Sequence, residues 1–281
     1  MASGGNTNRT FRVSGYRVVR VLGTGARSTI WEVRQEATGQ SFALKRVLKQ
    51  GNDDSRFMQQ VANEYECGRH IDHPNVRKVY DLRRVRKLLA IRETHLLMEY
   101  CPGKSVQDSP PRAMLEACGV FAQVAQAIET INRAGFVHAD MKPNNIVVTP
   151  EGNVKIIDLG QTCRIGTVKE RIQGTPDFIA PEQVKRGPLD VRTDVFNFGA
   201  SFYWALTGKC IPTLLPKANS LELPNNSSAI TPPHKHNSDI PLILSNLVMD
   251  CVRVEPNHRP KTMHEVVRRL GIVLRRQTQL A

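Results

Sequence analysis

Two periodicities divide the chain. From Phe11 onward, short β-branched and aromatic runs dominate: Val18, Val19, Val21 and Leu22, then Ile30, Trp31 and Val33, then Phe42, Ala43 and Leu44. Runs of this kind, interrupted by glycine, predict strands. Beyond Arg112 the apolar positions recur at helical spacing, as Leu115, Ala117, Cys118, Phe121, Ala122, Val124, Ala125, Ile128 and Ile131, up to Gly135. That spacing predicts an amphipathic helix. Helices are also expected over 56–70, 194–206, 240–253 and 261–276. A strand is expected over 96–101, preceded by two others and broken at Pro102 and Gly103.

Between the long helix and the next comes HADMKPNNIVVTPEGNVKIIDLG, residues 138–160, in which polar groups flank two apolar runs. Asp140, Lys142 and Asn145 lie beside Pro143, which fixes φ, removes a donor and disfavours a regular helix, so they belong to a loop. Ile146, Val147 and Val148 form one short strand and 154–157 another, with a turn at 150–153. The hairpin returns Asp158 to the loop it started from, so two carboxylates and an amide converge. Oxygen ligands of this kind suit Mg²⁺ completed by substrate phosphates, and the stretch is read as a phosphoryl-transfer centre.

Composition narrows the alternatives. The 281 residues fit one large domain or two lobes, and 40% apolar content supports a globular protein. Thirty-nine Lys and Arg against 26 Asp and Glu give a formal net charge of +13, which raises nucleic acid or an anionic membrane as partners. No zinc-finger spacing or RNP-like aromatic pattern accompanies the charge, so ordinary surface charge is the preferred reading. The densest basic stretch, 77–92, is expected to be a solvated hairpin, with a docking face as the alternative. Six cysteines without a CxxC pair suit reduced thiols and a cytoplasmic location. The longest apolar stretch, 195–206, is too short for a membrane span. Residues 1–10, small and polar, are expected to be disordered. His234 and His236, on a Pro, Asn and Ser-rich stretch, are too few for a metal clip.

Other segments add candidates of graded specificity. Gly23, Thr24 and Gly25 between strands could let backbone amides approach phosphate, although Ser28 stands at the third glycine position of GxGxxG and a plain hairpin turn fits equally well. Gly103, Lys104 and Ser105 lack the first glycine of a Walker A sequence.

Taken together, HAD, Asn145 and DLG resemble the catalytic loop and metal-binding motif of protein kinases, and the chain is identified as a member of the Hanks-type serine/threonine kinases of the non-RD subtype. The resemblance spans roughly 14–272 through the glycine loop, FALK ending at Lys45, Glu64, the 98–101 hinge, GTPDFIAPE and Arg259. It implies an α+β bilobal fold. A small β-rich N-lobe with one main helix would cover 11–101, and a larger helical C-lobe 102–276, with a long polar loop at 212–239 and a tail at 277–281.

It further implies ATP with Mg²⁺ or Mn²⁺ as cofactors and Ser/Thr hydroxyls of proteins as acceptors. Asp140 would deprotonate the hydroxyl, Lys142 would stabilise the γ-phosphate, and Asn145 and Asp158 would hold the metal. Lys45 would contact the α and β phosphates and pair with Glu64. Leu22, Gly23, Gly25, Ile30, Ala43 and Val147 would contact the nucleotide. Met98 would be the gatekeeper, with the Glu99 carbonyl and Cys101 backbone on the base. Thr175 would contact Asp140 and Lys142, Glu182 would pair with Arg259, and Asp194 would anchor the catalytic loop. The polar stretch 161–172 suits a mobile activation segment.

Two departures concern control. Ala139 replaces the arginine of HRD, removing the usual cation for an activation-segment phosphate. Gly68 stands where a bulky apolar residue is usual, which predicts a loosely held helix and a regulatory protein partner at the N-lobe. The rival reading is a pseudokinase, a nucleotide-binding interaction module without transfer.

Overall fold

A computed structural model describes residues 13–25, 27–49, 51, 54–87, 90–212 and 230–278. The β-branched runs of the first hundred residues form an antiparallel sheet. Its strands are β1 (Tyr16–Thr24), β2 (Ser28–Gln35), β3 (Ser41–Leu48), β4 (Val79–Lys87) and β5 (Ala90–Glu99), in the spatial order β1-β2-β3-β5-β4. They belong to the first of two compact units, which runs through Tyr65 and again over Val79–Tyr100.

The two-residue period of a strand sends neighbours to opposite faces, and each face buries its own cluster. Ala43, Val47, Leu96 and Met98 pack with Val61 of helix α1 (Ser55–Gly68). Phe42, Leu44, Leu97 and Val33 pack on the other face with Tyr16, Val18 and Trp31. One strand, β4, precedes the 96–99 run instead of two. The run is the second half of the ten-residue β5, whose polar Arg92, Glu93, Thr94 and His95 concealed its continuity.

Helix α1 bears on one of the two grounds for the expectation drawn from Gly68. That glycine is the last residue of the helix, and its carbonyl accepts from the Ile71 N–H at 3.2 Å. The helix-interior cost of glycine does not apply at a terminus, where glycine is well tolerated. What Gly68 still withholds is a side chain to pack at the end of that helix.

The second unit holds Glu66–Lys78 and everything from Cys101 onward. Helix α2 (Met114–Arg133) is its axis, burying Val120, Phe121, Val124, Ala127, Ile128 and Ile131 along one side. Short strands follow: β6 (Lys104–Ser105), β7 (Phe136–Val137), β8 (Ile146–Val148), β9 (Val154–Ile156) and β10 (Cys163–Arg164). The remaining helices are α3 (Pro181–Val184), α4 (Val191–Thr207), α5 (Pro233–His236), α6 (Leu242–Cys251) and α7 (Met263–Thr278).

Helix α4 is buried on nearly every side from Thr193 to Tyr203, with Thr193, Asp194, Asn197 and Ser201 as buried polar groups among its apolar residues. Phe121 of α2 stacks on Phe202 of α4 with ring centroids 4.5 Å apart. Full burial of such a ring contributes roughly 1.5–3 kcal/mol. Gly199 lets α4 approach α6, because a Cβ there would lie 2.4 Å from the Cys251 Cβ. The Asp190 carboxylate caps α4 through the Arg192 N–H, and Gly208 at φ 68° ends it.

In the region 212–239, expected as a continuous loop, residues 233–236 form the single helical turn α5, while 213–229 lie outside the described residues. The expectations for residues 1–10 and for the end of the tail, 279–281, also fall outside them. No described helix is long and apolar enough to cross a membrane.

Candidate active site

In the first unit, Lys45 sits in the middle of β3 with buried Leu44 beside it. Its Nζ donates to Glu64 Oε2 at 2.6 Å, and the Glu64 side chain is almost fully buried. A buried ion pair this short fixes the ammonium in one position, and removing one partner would leave the other charge desolvated. Ala43 and Met98 face each other across β3 and β5, and both are buried. Glu99 pairs with Phe42 at the end of the same ladder.

The glycine segment turns tightly. The Gly25 N–H donates to the Ser28 carbonyl at 2.7 Å, and a Cβ on Gly25 would press to 2.9 Å on Ser28 Oγ. Ser28 thus closes the turn from the position where a third glycine was sought. Gly23 pairs with Ile30 across β1 and β2, and Leu22 is exposed.

In the second unit, hairpin β8–β9 forms as the alternation predicted, with Ile146 opposite Ile156 and Val148 opposite Val154. The Ile157 N–H donates to the Asn145 carbonyl at 3.0 Å, so the strand carrying Asp158 closes back on the catalytic loop. Val147 pairs with Ser105 of β6. Beside it Gly103, at φ 149°, passes so close to the Val148 carbonyl that a Cβ would lie 2.2 Å from its oxygen. The chain can take that path only with glycine.

Asp140, Lys142 and Thr175 form a closed triangle. Lys142 Nζ lies 3.1 Å from Asp140 Oδ2 and donates to Thr175 Oγ1 at 2.7 Å. The Thr175 hydroxyl in turn donates to Asp140 Oδ1 at 3.1 Å. Asn145 Nδ2 donates to the Asp140 carbonyl at 2.9 Å, which commits its amine end and turns its oxygen into the acceptor. Asp158 Oδ1 accepts from the Gly160 N–H at 2.9 Å. Burial pushes the Asp140 carboxyl above the usual carboxylate range; Lys142 opposes this and the Asp158 charge reinforces it.

The donor chemistry fits a hard divalent cation. Asn145 and Asp158 offer oxygens, and no group of three or more His, Cys, Asp or Glu among the described residues forms a complete cage. Such a set suits Mg²⁺ that takes its remaining ligands from phosphates and water.

Beneath these residues lies a scaffold of buried polar groups. Asp194, fully buried on α4, accepts from the backbone N–H groups of His138 and Ala139, each at 2.9 Å, and from Asn132 Nδ2 at 2.8 Å. Burial raises the Asp194 carboxyl while these donors pull it down. Burial also lowers the pKa of His138, favouring the neutral imidazole. Ala139 has φ 61°, a left-handed conformation costing an L-residue roughly 1–2 kcal/mol. It is held there from both sides, by Asp194 on its N–H and by Gln183 Nε2 on its carbonyl at 2.7 Å. Gln183 also bonds the Gln173 carbonyl, the Ala180 N–H and Asn197. Sequence reasoning named Asp194 but missed Gln183, Asn197, Asn132 and Thr193. The first of these adjoins Glu182 and offered no signal of its own.

Glu182 and Arg259 pair through two hydrogen bonds of 2.8 and 2.9 Å, with Thr193 adding a third to Glu182. Within the 161–172 segment, residues 163–167 make backbone contacts with their surroundings. β10 pairs with β7, the Gly166 N–H donates to the Leu189 carbonyl, and the Leu189 N–H donates to the Thr167 carbonyl. Ala139 packs with Val137, Cys163 and Leu189 in a small apolar cluster, so the position of the missing arginine is filled by hydrocarbon. Arg77, grouped by sequence with the basic surface, is buried, whereas Arg83, Arg84, Arg86 and Arg92 are exposed as the hairpin reading expected.

Comparison with known proteins agrees with this architecture. The family model described as the protein kinase domain matches residues 16–269. A probable serine/threonine-protein kinase of Clostridium acetobutylicum is 25% identical over 266 residues, covering 92% of this chain and 40% of that protein. Serine/threonine-protein kinase PrkC of Bacillus subtilis is 25% identical over 264 residues, covering 91% of this chain and 40% of its own length. PknA of Mycobacterium tuberculosis is 29% identical over 202 residues, 69% of this chain and 47% of that protein. The chain thus spans less than half the length of these relatives. With a family match across nearly the whole sequence and a fold to suit it, the chain belongs to the protein kinase domain family.

Proposed function

We propose that the chain transfers the γ-phosphate of ATP to Ser or Thr hydroxyls of protein substrates. The observation that carries this reading is the triangle of Asp140, Lys142 and Thr175. It ties a buried carboxylate and a cation to a hydroxyl from the GTPDFIAPE segment, leaving a base and a positive charge aimed at one point. Asp140 orients the acceptor hydroxyl and takes its proton, and the raised pKa improves its match to that task. Lys142 offsets charge on the transferring group. Lys45, fixed by Glu64, orients the nucleotide phosphates, while the turn at Gly23 and Gly25 lets the backbone come close to them without a Cβ in the way. Ala43, Met98, Leu22, Ile30 and Val147 supply apolar contacts to the base, with the Glu99 and Cys101 backbones as its polar partners. Asn145 and Asp158 would hold Mg²⁺, which would neutralise charge on the phosphates.

The test is phosphate transfer from labelled ATP with Mg²⁺ into a protein extract, followed by identification of the labelled amino acids. Label on serine or threonine that disappears with Asp158→Asn is expected. Label only on tyrosine overturns the acceptor class. Transfer equally absent from wild type and variant, with nucleotide binding retained, overturns catalysis in favour of a binding module.

A further inference from the structure

The side-chain amide of Gln183 joins two pieces of chain that phosphoryl transfer needs in register. On one side its Nε2 donates at 2.7 Å to the carbonyl of Ala139, the residue before Asp140. On the other it grips the segment that carries Thr175, donating to the Gln173 carbonyl at 3.1 Å and accepting from the Ala180 N–H at 2.9 Å. Asn197 Nδ2 donates to the same oxygen at 3.0 Å. Both N–H groups and both lone pairs of the amide are thereby used, in a residue only 4% exposed. Thr175 lies in the chain between the two anchor points, 173 and 180.

Helix capping explains only part of this. Ala180 is the N-cap of α3 and Gln183 its N3 position, where a Glu or Gln reaching back to the cap N–H is a common helix start. That role needs the oxygen alone. It gives no reason for two donations to carbonyls outside the helix. Glycine at 174, with φ 136°, makes room for them, because a Cβ there would lie 3.3 Å from Gln183 Nε2 and 3.0 Å from Ile179 Cγ1.

The Ala139 end is where the restraint matters. Its φ of 61° is disfavoured for an L-residue, so a chain released at the carbonyl has an easier conformation to relax into, and Asp140 would move with it. Helix α4 backs both sides of this residue. Asp194 binds the Ala139 N–H directly at 2.9 Å, and Asn197, one helical turn on, supports Gln183.

We infer that Gln183 is a positioning residue that locks the loop carrying Asp140 to the segment carrying Thr175, a role that rests on the reading of Asp140 as the base. It acts through the Ala139 and Gln173 carbonyls, holding the base and its threonine partner in one geometry during transfer.

Gln183→Glu separates the lock from the cap, because glutamate serves equally well at N3 but offers the two carbonyls no amide hydrogen. In the full chain, with labelled ATP, Mg²⁺ and casein as acceptor, this variant should lose about tenfold or more in kcat, while KM for ATP stays that of wild type. Amide hydrogen exchange at 139–141 should quicken. Adding Ala139→Gly, which takes up the left-handed conformation without strain, should return most of the lost kcat, a recovery that a residue serving only the cap would not show. Gln183→Met, similar in shape, should match the glutamate variant in kcat and also melt lower, since the cap is lost with it. Wild-type kcat and exchange in Gln183→Glu, with Gln183→Met alone impaired, reduce the residue to a helix cap and overturn the proposal. So does a loss that Ala139→Gly leaves uncorrected, or a rise in KM for ATP with kcat intact. If wild type itself transfers no phosphate, the kinase reading fails, and exchange still decides the lock: unchanged rates at 139–141 in Gln183→Glu overturn it.

Discussion

The two units hold their functional groups in different ways. In the first, Lys45 is ion-paired with Glu64, and that glutamate rides on a helix backed by a cluster of five buried apolar residues. In the second, Asp140 and its neighbours sit on a loop whose backbone is gripped by Asp194 and Gln183, beneath which lies a far larger continuous core. Moving that one helix would break the Lys45–Glu64 pair. The second moves only if several buried donors lose their partners together. Charge positioning in the sheet unit is therefore adjustable, and in the helical unit it is part of the fold.

That contrast can be broken at its strongest point first. Asp140→Asn should lower phosphate transfer about 10²–10⁴-fold, the usual worth of a positioned base, with little change in thermal midpoint, since Thr175 and Lys142 can still bond the amide. A large drop in midpoint would mean that the carboxylate serves the fold. Asp194→Ala should do the reverse, orphaning buried N–H groups at a cost of about 1–3 kcal/mol each. Thermal denaturation reads this directly, and unaltered stability would deny the helical unit its rigid scaffold.

Glu64→Gln should cost roughly a hundredfold in transfer through mispositioned Lys45 and lower the thermal midpoint, because the Lys45 charge loses its buried carboxylate, while the chain still folds. If it unfolds the protein, the sheet unit is no more adjustable than the other. Gly199→Ala, which drives a methyl into Cys251, should destabilise by about 1–3 kcal/mol as overpacking does, measurable in denaturant without any assay of activity.

The smallest effect is one of pH. Asp140 must be ionised to accept a proton, and burial raises its pKa above the ordinary 3.8. Activity should therefore fall as pH is lowered through that elevated pKa, at a higher pH than a solvent-exposed carboxylate would give. Thr175 donates to the carboxylate and so lowers the pKa. Thr175→Ala should move the acid limb upward again, and a limb unmoved in the pH profile would remove Thr175 from contact with the base.

What could be read in the sequence follows from these energetics. The β8–β9 hairpin, helix α2 and the triangle's acid and lysine were legible because each depends on local spacing. The extent of β5 was not, because Arg92 to His95 are polar and their pairing with β4 is a tertiary fact. Gln183 was invisible for a similar reason: an amide beside APE gives no hint that it will bond a carbonyl 44 residues away. The helix cost of Gly68 could not be judged from sequence, because it depends on whether the glycine lies inside a helix or ends one, a boundary that sequence leaves uncertain by a residue or two.

The apolar cluster of Ala139, Cys163 and Leu189 bears on how a signal could enter this protein. A phosphate placed on Thr167 meets no guanidinium at position 139, so a message written there has no reader at that position. The segment's backbone is already sewn to 188–189 by hydrogen bonds that any folded copy makes. With Thr167 unmodified, that stretch already holds its place, so its geometry asks for no phosphate there.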